Sequence, residues 1–257
     1  MDTSFVIGVL VGALQAGTSV LYAALGEVVV ERSGVINLGL EGSMLMGASV
    51  GFAVTYQTGN PWLGLIAAAL AGALFNLVLA FLVVTRGANQ LASGLALGFL
   101  GIGLSAVIGR PYVGQMIDGI GTMPIPVLAD LPVLGPILFQ HDILIYAVIP
   151  MAFFLQWVLF HTRWGLSIRT VGEDKTVAYA AGLRTRWLQY QALFVGGLLA
   201  GLGGAHLSLA FTGVWGEQMT AGRGFIAVAL VIFAAWSPLR AVLGALLFGG
   251  ALAFQLQ

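Results

Sequence analysis

Long apolar stretches follow one another along almost the whole chain, and they constrain its fold more than any other feature. A helix needs about 20 mostly apolar residues to cross a bilayer core of about 30 Å. The long stretches are residues 5–25, 62–84, 91–108, 143–160 and 191–210, and shorter ones are residues 44–56, 225–236 and 241–254. The sequence therefore predicts an all-α polytopic membrane protein, a bundle of about seven to eight transmembrane helices with residues 1–257 forming one domain.

The charge composition supports this fold class and excludes nucleic acid as a partner. Only 8% of the 257 residues are charged, against roughly 25% in an average soluble domain. Ten basic residues balance ten acidic ones, so no basic surface is available for DNA or RNA. No basic residue precedes the first apolar stretch, which we therefore expect to be a retained span rather than a cleaved signal peptide.

The distribution of Lys and Arg predicts the orientation. Residues 161–188 hold five of the ten basic residues, and cytoplasmic loops carry such an excess. Residues 109–142 are rich in proline and contain three aspartates but one arginine, so this loop is expected to be extracytoplasmic. Counting spans back from these two loops places the N-terminus outside.

Two segments combine charge, glycine and apolar residues in a way that fits neither a solvated loop nor a regular span. Residues 26–43 contain Glu27, Asn37 and Glu41, with glycines that let the backbone turn. Irregular backbone at membrane depth occurs only where it is buried in protein or lines a wet cavity. We therefore predict a broken or re-entrant helix beside a pathway. A cytoplasmic amphipathic elbow with solvated charges is the alternative.

The second such segment is residues 213–225, which precede an apolar run too short to cross the membrane. Trp215, Glu217 and Arg223 are its candidate pathway residues, because ionisable groups and broken helices in membrane proteins mark binding sites. The predicted pathway is thus lined by six residues: Glu27, Asn37 and Glu41 from the first segment, and Trp215, Glu217 and Arg223 from the second. A structural ion pair between Glu217 and Arg223 is the alternative.

The basic loop contains a predicted short helix at residues 174–181. Acidic residues stand in its first turn, and Gly182 is placed to end it. A small exposed helix between two spans is suited to docking a partner, and a solvated loop is the alternative. His206, within an apolar stretch, is predicted to be a packing residue with no acidic neighbour.

No enzyme signature is present. Lys175 is the only lysine and no glycine directly precedes it, which excludes a P-loop for ATP. No His-Glu-x-x-His or Gly-x-Ser-x-Gly motif occurs, and no metal site is expected. Two alternatives of other classes stay open from the residues alone: an intramembrane enzyme that uses Glu27, Glu41 or Glu217, and an ion-coupled secondary transporter.

Four blocks of sequence resemble one known family. They are ERSGVINLGLEGSMLMG at residues 31–47, WGLSIRTVGE at 164–173, AGLGGA at 200–205 and MTAGRGFIA at 219–227. In this order they resemble permeases of bacterial ABC importers of the branched-chain amino acid and simple-sugar superfamily. The likeness is closest to the nucleoside branch, which works with a lipoprotein of the basic membrane protein type. The family commonly has Asn-Pro where this chain has Asp174 and Lys175.

The resemblance implies a permease subunit that forms half of a pathway for a nucleoside or similar solute, with simple sugars or branched-chain amino acids as alternatives. It implies a bacterial plasma (inner) membrane location and three partners: a second homologous permease, a cytoplasmic ABC ATPase that carries ATP and Mg²⁺, and an extracytoplasmic substrate-binding lipoprotein. No cofactor is expected in this chain itself. The implied ATPase-coupling residues are Arg169, Gly172, Glu173, Asp174, Lys175, Ala178, Ala181 and Gly182.

Overall fold

The computed structural model describes the fold of residues 3–255 and the side chains from residue 5 onward. Within this range the chain forms eleven α-helices. They are α1 (Thr3–Glu31), α2 (Leu40–Thr58), α3 (Pro61–Ala80), α4 (Gln90–Gly109), α5 (Leu134–Leu138), α6 (Ile143–His161), α7 (Arg163–Glu173), α8 (Lys175–Ala180), α9 (Thr185–Ala205), α10 (Arg223–Phe233) and α11 (Pro238–Gln255). Short π-helical turns extend α3 through Phe81–Thr85 and α9 through His206–Phe211.

Six of these helices are long and apolar enough to cross a membrane: α1, α3, α4, α6, α9 and α11. The predicted polytopic all-α fold is therefore confirmed, and α11 is longer than its apolar stretch suggested. Helix α2 has 19 residues, of which 13 are buried, so it lies inside the bundle. Helix α10 has only 11 residues, which agrees with the prediction of a helix too short to cross.

Small residues let the central helices approach closely. A Cβ atom at Gly47 of α2 would lie 2.5 Å from the Cα of Gly201 of α9, and a Cβ atom at Gly72 of α3 would lie 2.8 Å from that same Cα. Such close contacts between backbones are typical of membrane bundles, where van der Waals packing drives helix association. Helices α2, α3 and α9 thus form a tightly packed centre.

The helical path is interrupted in two places inside the bundle. Residues 32–39, here called the elbow, connect α1 to α2 without helical structure, apart from a turn at the end of α1. Ser33, Val35 and Asn37 in the elbow are completely buried, which favours a broken helix within the protein over a solvated amphipathic elbow. Residues 212–222, here called the second break, connect the π-turn after α9 to α10.

Candidate functional site

The carboxylate of Glu41 joins the two interrupted segments. Its Oε1 accepts hydrogen bonds from the hydroxyl of Thr220 at 2.5 Å and the N–H of Gly222 at 2.8 Å. Its Oε2 accepts one from the N–H of Gly224 at 2.6 Å, and the side chain is 4% exposed. Both oxygens of a buried acid are therefore satisfied by a loop about 180 residues away in sequence.

The local geometry explains why a carboxylate is stable at this point. Glu41 lies in the first turn of α2, and its partners surround the first turn of α10. The partial positive charges of two helix N-termini therefore meet on one carboxylate. Gly222 has φ of 82°, a left-handed conformation that glycine adopts without strain. A Cβ atom at Gly224 would lie 2.4 Å from the backbone nitrogen of Glu41, so the two helix ends are in direct contact.

A second polar cluster lies behind the elbow. The Oε1 of Glu27, in α1, accepts a hydrogen bond from the N–H of Asn37 at 2.9 Å. The Asn37 amide in turn donates to Oδ1 of Asn76 at 3.1 Å, and the same oxygen accepts from the Ser43 hydroxyl at 2.7 Å. All four side chains are completely buried. Predicted pathway residues Glu27 and Asn37 are thus brought together.

Asn76 is a central residue of this cluster that the sequence analysis missed. Besides accepting from the elbow and from α2, it donates to the carbonyl of Leu193 in α9 at 3.2 Å. One side chain in α3 therefore connects the elbow to two further helices. The signal in the sequence was a lone amide in the apolar stretch at residues 62–84, where a polar side chain needs partners inside the protein.

Replacing Asn76 with leucine is expected to destabilise the protein by about 2–4 kcal/mol, because the donors of Asn37 and Ser43 lose their buried acceptor. Thermal unfolding in one detergent would measure the loss. Val78→Leu is the control, since Val78 lies on the same helix and is 44% exposed. An Asn76→Leu protein that unfolds at the same temperature as the control would contradict this assignment.

The remaining predicted residues of the second break have three different environments. Trp215 is 2% exposed and packs against Gly109, where an added Cβ atom would overlap Nε1 of its indole ring. Glu217 is exposed. Arg223 is half-buried and donates to the carbonyls of Met219 and Thr220, each at 3.2 Å. Among the described residues no ion pair joins Glu217 to Arg223, so the alternative of a structural clasp between them is wrong.

The end of the elbow nearest α1 is held by aromatic contacts. Trp236, in the turn between α10 and α11, donates its ring N–H to Glu31, and its carbonyl accepts from Nε of Arg32 at 3.1 Å. The guanidinium groups of Arg32 and Arg169 lie 5.3 Å and 4.9 Å from the centroid of the Phe160 ring, which places them in cation–π contact. A cavity of about 310 Å³ lies here, lined by Glu31, Arg32, Arg169, Gly172, Glu173 and Trp236.

Helix α7 contacts the elbow directly through backbone. A Cβ atom at Gly172 would lie 2.2 Å from the carbonyl oxygen of Arg32, and one at Gly34 would lie 3.1 Å from the Cα of Gly172. Beside this contact, the amide of Gln189 in α9 donates to the carbonyl of Ser33 at 2.9 Å, and Gln189 is buried. The predicted coupling loop is therefore in direct contact with the elbow.

The predicted short helix in the basic loop is confirmed as α8. Oδ1 of Asp174 accepts from the N–H groups of Thr176 at 2.7 Å and Val177 at 3.1 Å, which makes this residue the N-cap. The backbone N–H groups of Val177 and Thr176 hold the pKa of Asp174 below its usual range. Gly182 follows the helix with φ of 82°. Among the other predicted coupling residues, three are exposed: Glu173, Lys175 and Ala181. Ala178 is buried, and Gly172 and Arg169 are half-buried.

The sequence expectation for His206 is wrong in one respect. Its ring is completely buried, as expected of a packing residue, but Nε2 lies 3.7 Å from the carboxylate of Asp142. Asp142 caps α6 by accepting from the N–H groups of Leu144 and Ile145. The structure therefore places the π-turn after α9 beside the start of α6, a contact between residues 64 positions apart that no local pattern indicates.

Comparisons with known proteins agree with this architecture. The profile of a family described as the permease component of branched-chain amino acid transport systems matches residues 8–255. No solved structure gives a significant match to the chain.

Three curated proteins are similar over nearly the whole chain. A putative glucose ABC transporter permease protein of Haloferax volcanii is 43% identical over 99% of this chain and 78% of its own length. A guanosine ABC transporter permease protein of Bacillus subtilis is 34% identical over 97% of this chain and 82% of its own length. A nucleoside ABC transporter permease protein of Lactococcus lactis is 34% identical over 90% and 77%, respectively.

Proposed function

The chain belongs to the family of permease components of branched-chain amino acid transport systems, and from this premise we propose that it carries a nucleoside or a similar small polar solute. It is a multi-pass membrane protein and a permease subunit of the ABC transporter class, and it is therefore not itself catalytic. The solute proposal is supported by two relatives named for guanosine and nucleoside transport.

We propose that the chain pairs with a second homologous permease to complete the pathway, receives solute from an extracytoplasmic binding lipoprotein, and is driven by a cytoplasmic ATPase that holds ATP and Mg²⁺. We also propose the bacterial plasma membrane, with the N-terminus outside, a topology supported by the five basic residues in the loop at 161–188. The domain assignment is a single permease domain over residues 1–257.

One observation carries the mechanism: the candidate coupling loop, the elbow and the second break form a continuous series of contacts. Gly172 packs on Gly34, the elbow leads into α2, and Glu41 of α2 holds the N-terminus of α10. A displacement of α7 and α8 by the ATPase would therefore reach both broken segments. We propose that Glu41 acts as a latch between them and that the pathway residues line or gate the solute route as the bundle alternates between two access states.

A simple sugar is the second candidate solute, because the relative that is 43% identical is named for glucose. The test is uptake of labelled guanosine, and separately of labelled glucose, into cells or proteoliposomes that contain this chain with its partners. Unlabelled nucleosides, glucose and leucine are the competitors. Competition by nucleosides alone would support the proposal. Uptake of glucose that guanosine does not inhibit would replace it with the sugar assignment, and uptake without any ATPase would contradict the coupling.

Removing the cap of α8 is expected to weaken docking of the ATPase. Asp174→Ala deletes both hydrogen bonds to the first turn of this exposed helix, which then frays. We expect a several-fold loss of ATPase retained on the purified permease, with the unfolding temperature of the membrane bundle unchanged. Asp174→Asn keeps a capping oxygen and is the matched control. Equal retention by the alanine and asparagine variants would contradict a docking role for α8.

A further inference from the structure

The segment between α4 and α6 contains an apolar lobe at residues 121–141, here called the outer lobe. Its 21 residues include one carboxylate, Asp130, and no lysine or arginine. Eight large apolar side chains of the lobe are exposed: Met123, Ile125, Val127, Leu128, Leu131, Val133, Leu134 and Leu138. An apolar surface of this size, with the exposed Asp130 as its one charged side chain, indicates contact with an apolar partner rather than with water.

The outer lobe is closed on itself by hydrogen bonds. The N–H groups of Met123 and Ile125 donate to the carbonyls of His141 at 2.8 Å and Phe139 at 3.0 Å, and the Gln140 amide donates to the carbonyl of Ala129 at 2.9 Å. Non-helical backbone is tolerated near lipid only when its polar groups are paired. These hydrogen bonds join residues of the lobe to one another, so the apolar side chains can leave water while these polar groups stay paired.

The conformation of Val127 supports the same conclusion. This residue is 80% exposed and has φ of 69°. A β-branched residue is disfavoured in the left-handed region, and a turn that faces water uses glycine or asparagine there. The chain instead places Val127 here, the most exposed of the eight large apolar side chains, and such a side chain is stabilised by apolar surroundings.

The contacts of α1 give the depth of the lobe. The hydroxyl of Tyr22 donates to the carbonyl of Leu144 at 2.9 Å, so α6 begins beside Tyr22. From there α1 continues toward its N-terminus to Phe5 as part of one apolar span, about 25 Å at 1.5 Å per residue. Helix α5, within the lobe, packs on α1. The lobe therefore lies against a helix that is long and apolar enough to span the bilayer.

We propose that the outer lobe is embedded in the lipid leaflet on the side of the N-terminus of α1, with its apolar side chains in the boundary between headgroups and acyl chains. Lipid is the occupant because the lobe joins two membrane spans directly: its helix α5 packs on α1, and its chain runs into α6. Both spans expose large apolar side chains, among them Val6 and Leu10 of α1 and Phe153 and Phe154 of α6. Without a basic residue in the lobe, the contact does not require anionic lipid. The loop at 109–142 is thus partly a membrane element rather than an aqueous one.

The chain contains no cysteine, which allows a direct test by site-directed spin labelling. Val127→Cys reports on the lobe, Leu247→Cys on an α11 side chain that is 77% exposed in a membrane span, and Asp118→Cys on an exposed polar position before the lobe. Each variant is labelled in the full chain, assembled with its co-expressed partners in proteoliposomes of neutral lipid. The unsubstituted chain, treated in the same way, gives the background from partner cysteines.

The readout is the accessibility of each label to oxygen, which partitions into lipid, relative to a water-soluble nickel chelate. We expect the ratio at position 127 to match that at position 247 and to exceed that at position 118 several-fold. A ratio at 127 equal to that at 118 would overturn the proposal, because the lobe would face water. Low accessibility to both reagents would also overturn it, since a protein partner rather than lipid would then cover the lobe.

Discussion

Glu41→Ala is expected to lower solute uptake by about tenfold or more and to destabilise the protein by about 3–5 kcal/mol, because three donors lose a buried charged acceptor. Without the Glu41 carboxylate, the N-terminus of α10 is no longer hydrogen-bonded to α2, and the two broken segments lose the side chain that joins them. Uptake of labelled solute at equal expression, together with thermal unfolding in detergent, would measure the two effects.

Two control variants separate the latch from a general effect of removing charge. Glu41→Gln keeps an oxygen for Thr220 and Gly222, but its amide nitrogen meets the N–H of Gly224, so we expect an intermediate loss. Glu217→Ala removes an exposed carboxylate of the second break and is expected to retain nearly full stability. Normal uptake and stability in Glu41→Ala would remove this residue from the mechanism.

The positions of the two broken segments could be predicted from the sequence because the signal is local. Charges and glycines interrupt apolar stretches at residues 26–43 and 213–225, and a bilayer does not tolerate such residues in an ordinary span. The contact between the segments could not be predicted. Glu41 and Gly222 are 181 positions apart, and nothing in either segment specifies that the carboxylate of one caps the helix of the other.

Arg223 shows how local reasoning about charge can fail. The nearest carboxylate in sequence, Glu217, was the natural candidate partner, but the arginine side chain turns back onto carbonyls three and four residues before it. A guanidinium has five donors and can be satisfied by backbone carbonyls, which every loop supplies. Sequence proximity therefore predicts that a buried charge needs partners, but it does not predict which partners.

Aromatic residues in the turn after α10 show a related limit. Trp236 ends the apolar stretch at residues 225–236, and the pattern therefore predicts that it belongs to a helix. Ala235 and Trp236 instead have positive φ angles, of 49° and 53°. The turn directs the indole toward Glu31 and the carbonyl toward Arg32. Left-handed backbone at residues other than glycine depends on tertiary contacts, which are absent from any local pattern.

Gly172→Ala is expected to uncouple the permease from its proposed ATPase. The new Cβ would lie 2.2 Å from the carbonyl oxygen of Arg32, a distance that only a shift of α7 away from the elbow can relieve. Because α8 follows α7 directly, its docking surface survives while its contact with the elbow changes. We expect uptake to fall by about tenfold, while ATPase remains bound to the purified complex and continues to hydrolyse ATP.

The control for this substitution is Gly103→Ala in α4, where no atom lies within 4 Å of an added Cβ, so uptake should be unchanged.

Gln189→Leu tests the same connection by a different route, because it deletes the hydrogen bond to Ser33 without adding bulk at Gly172. If contact with the elbow transmits the motion, both Gly172→Ala and Gln189→Leu lower the solute transported per ATP hydrolysed. If Gly172→Ala instead releases the ATPase, the glycine is needed for docking, and the elbow is not the transmitting element. A normal transport ratio in both variants would mean that α7 moves independently of the elbow.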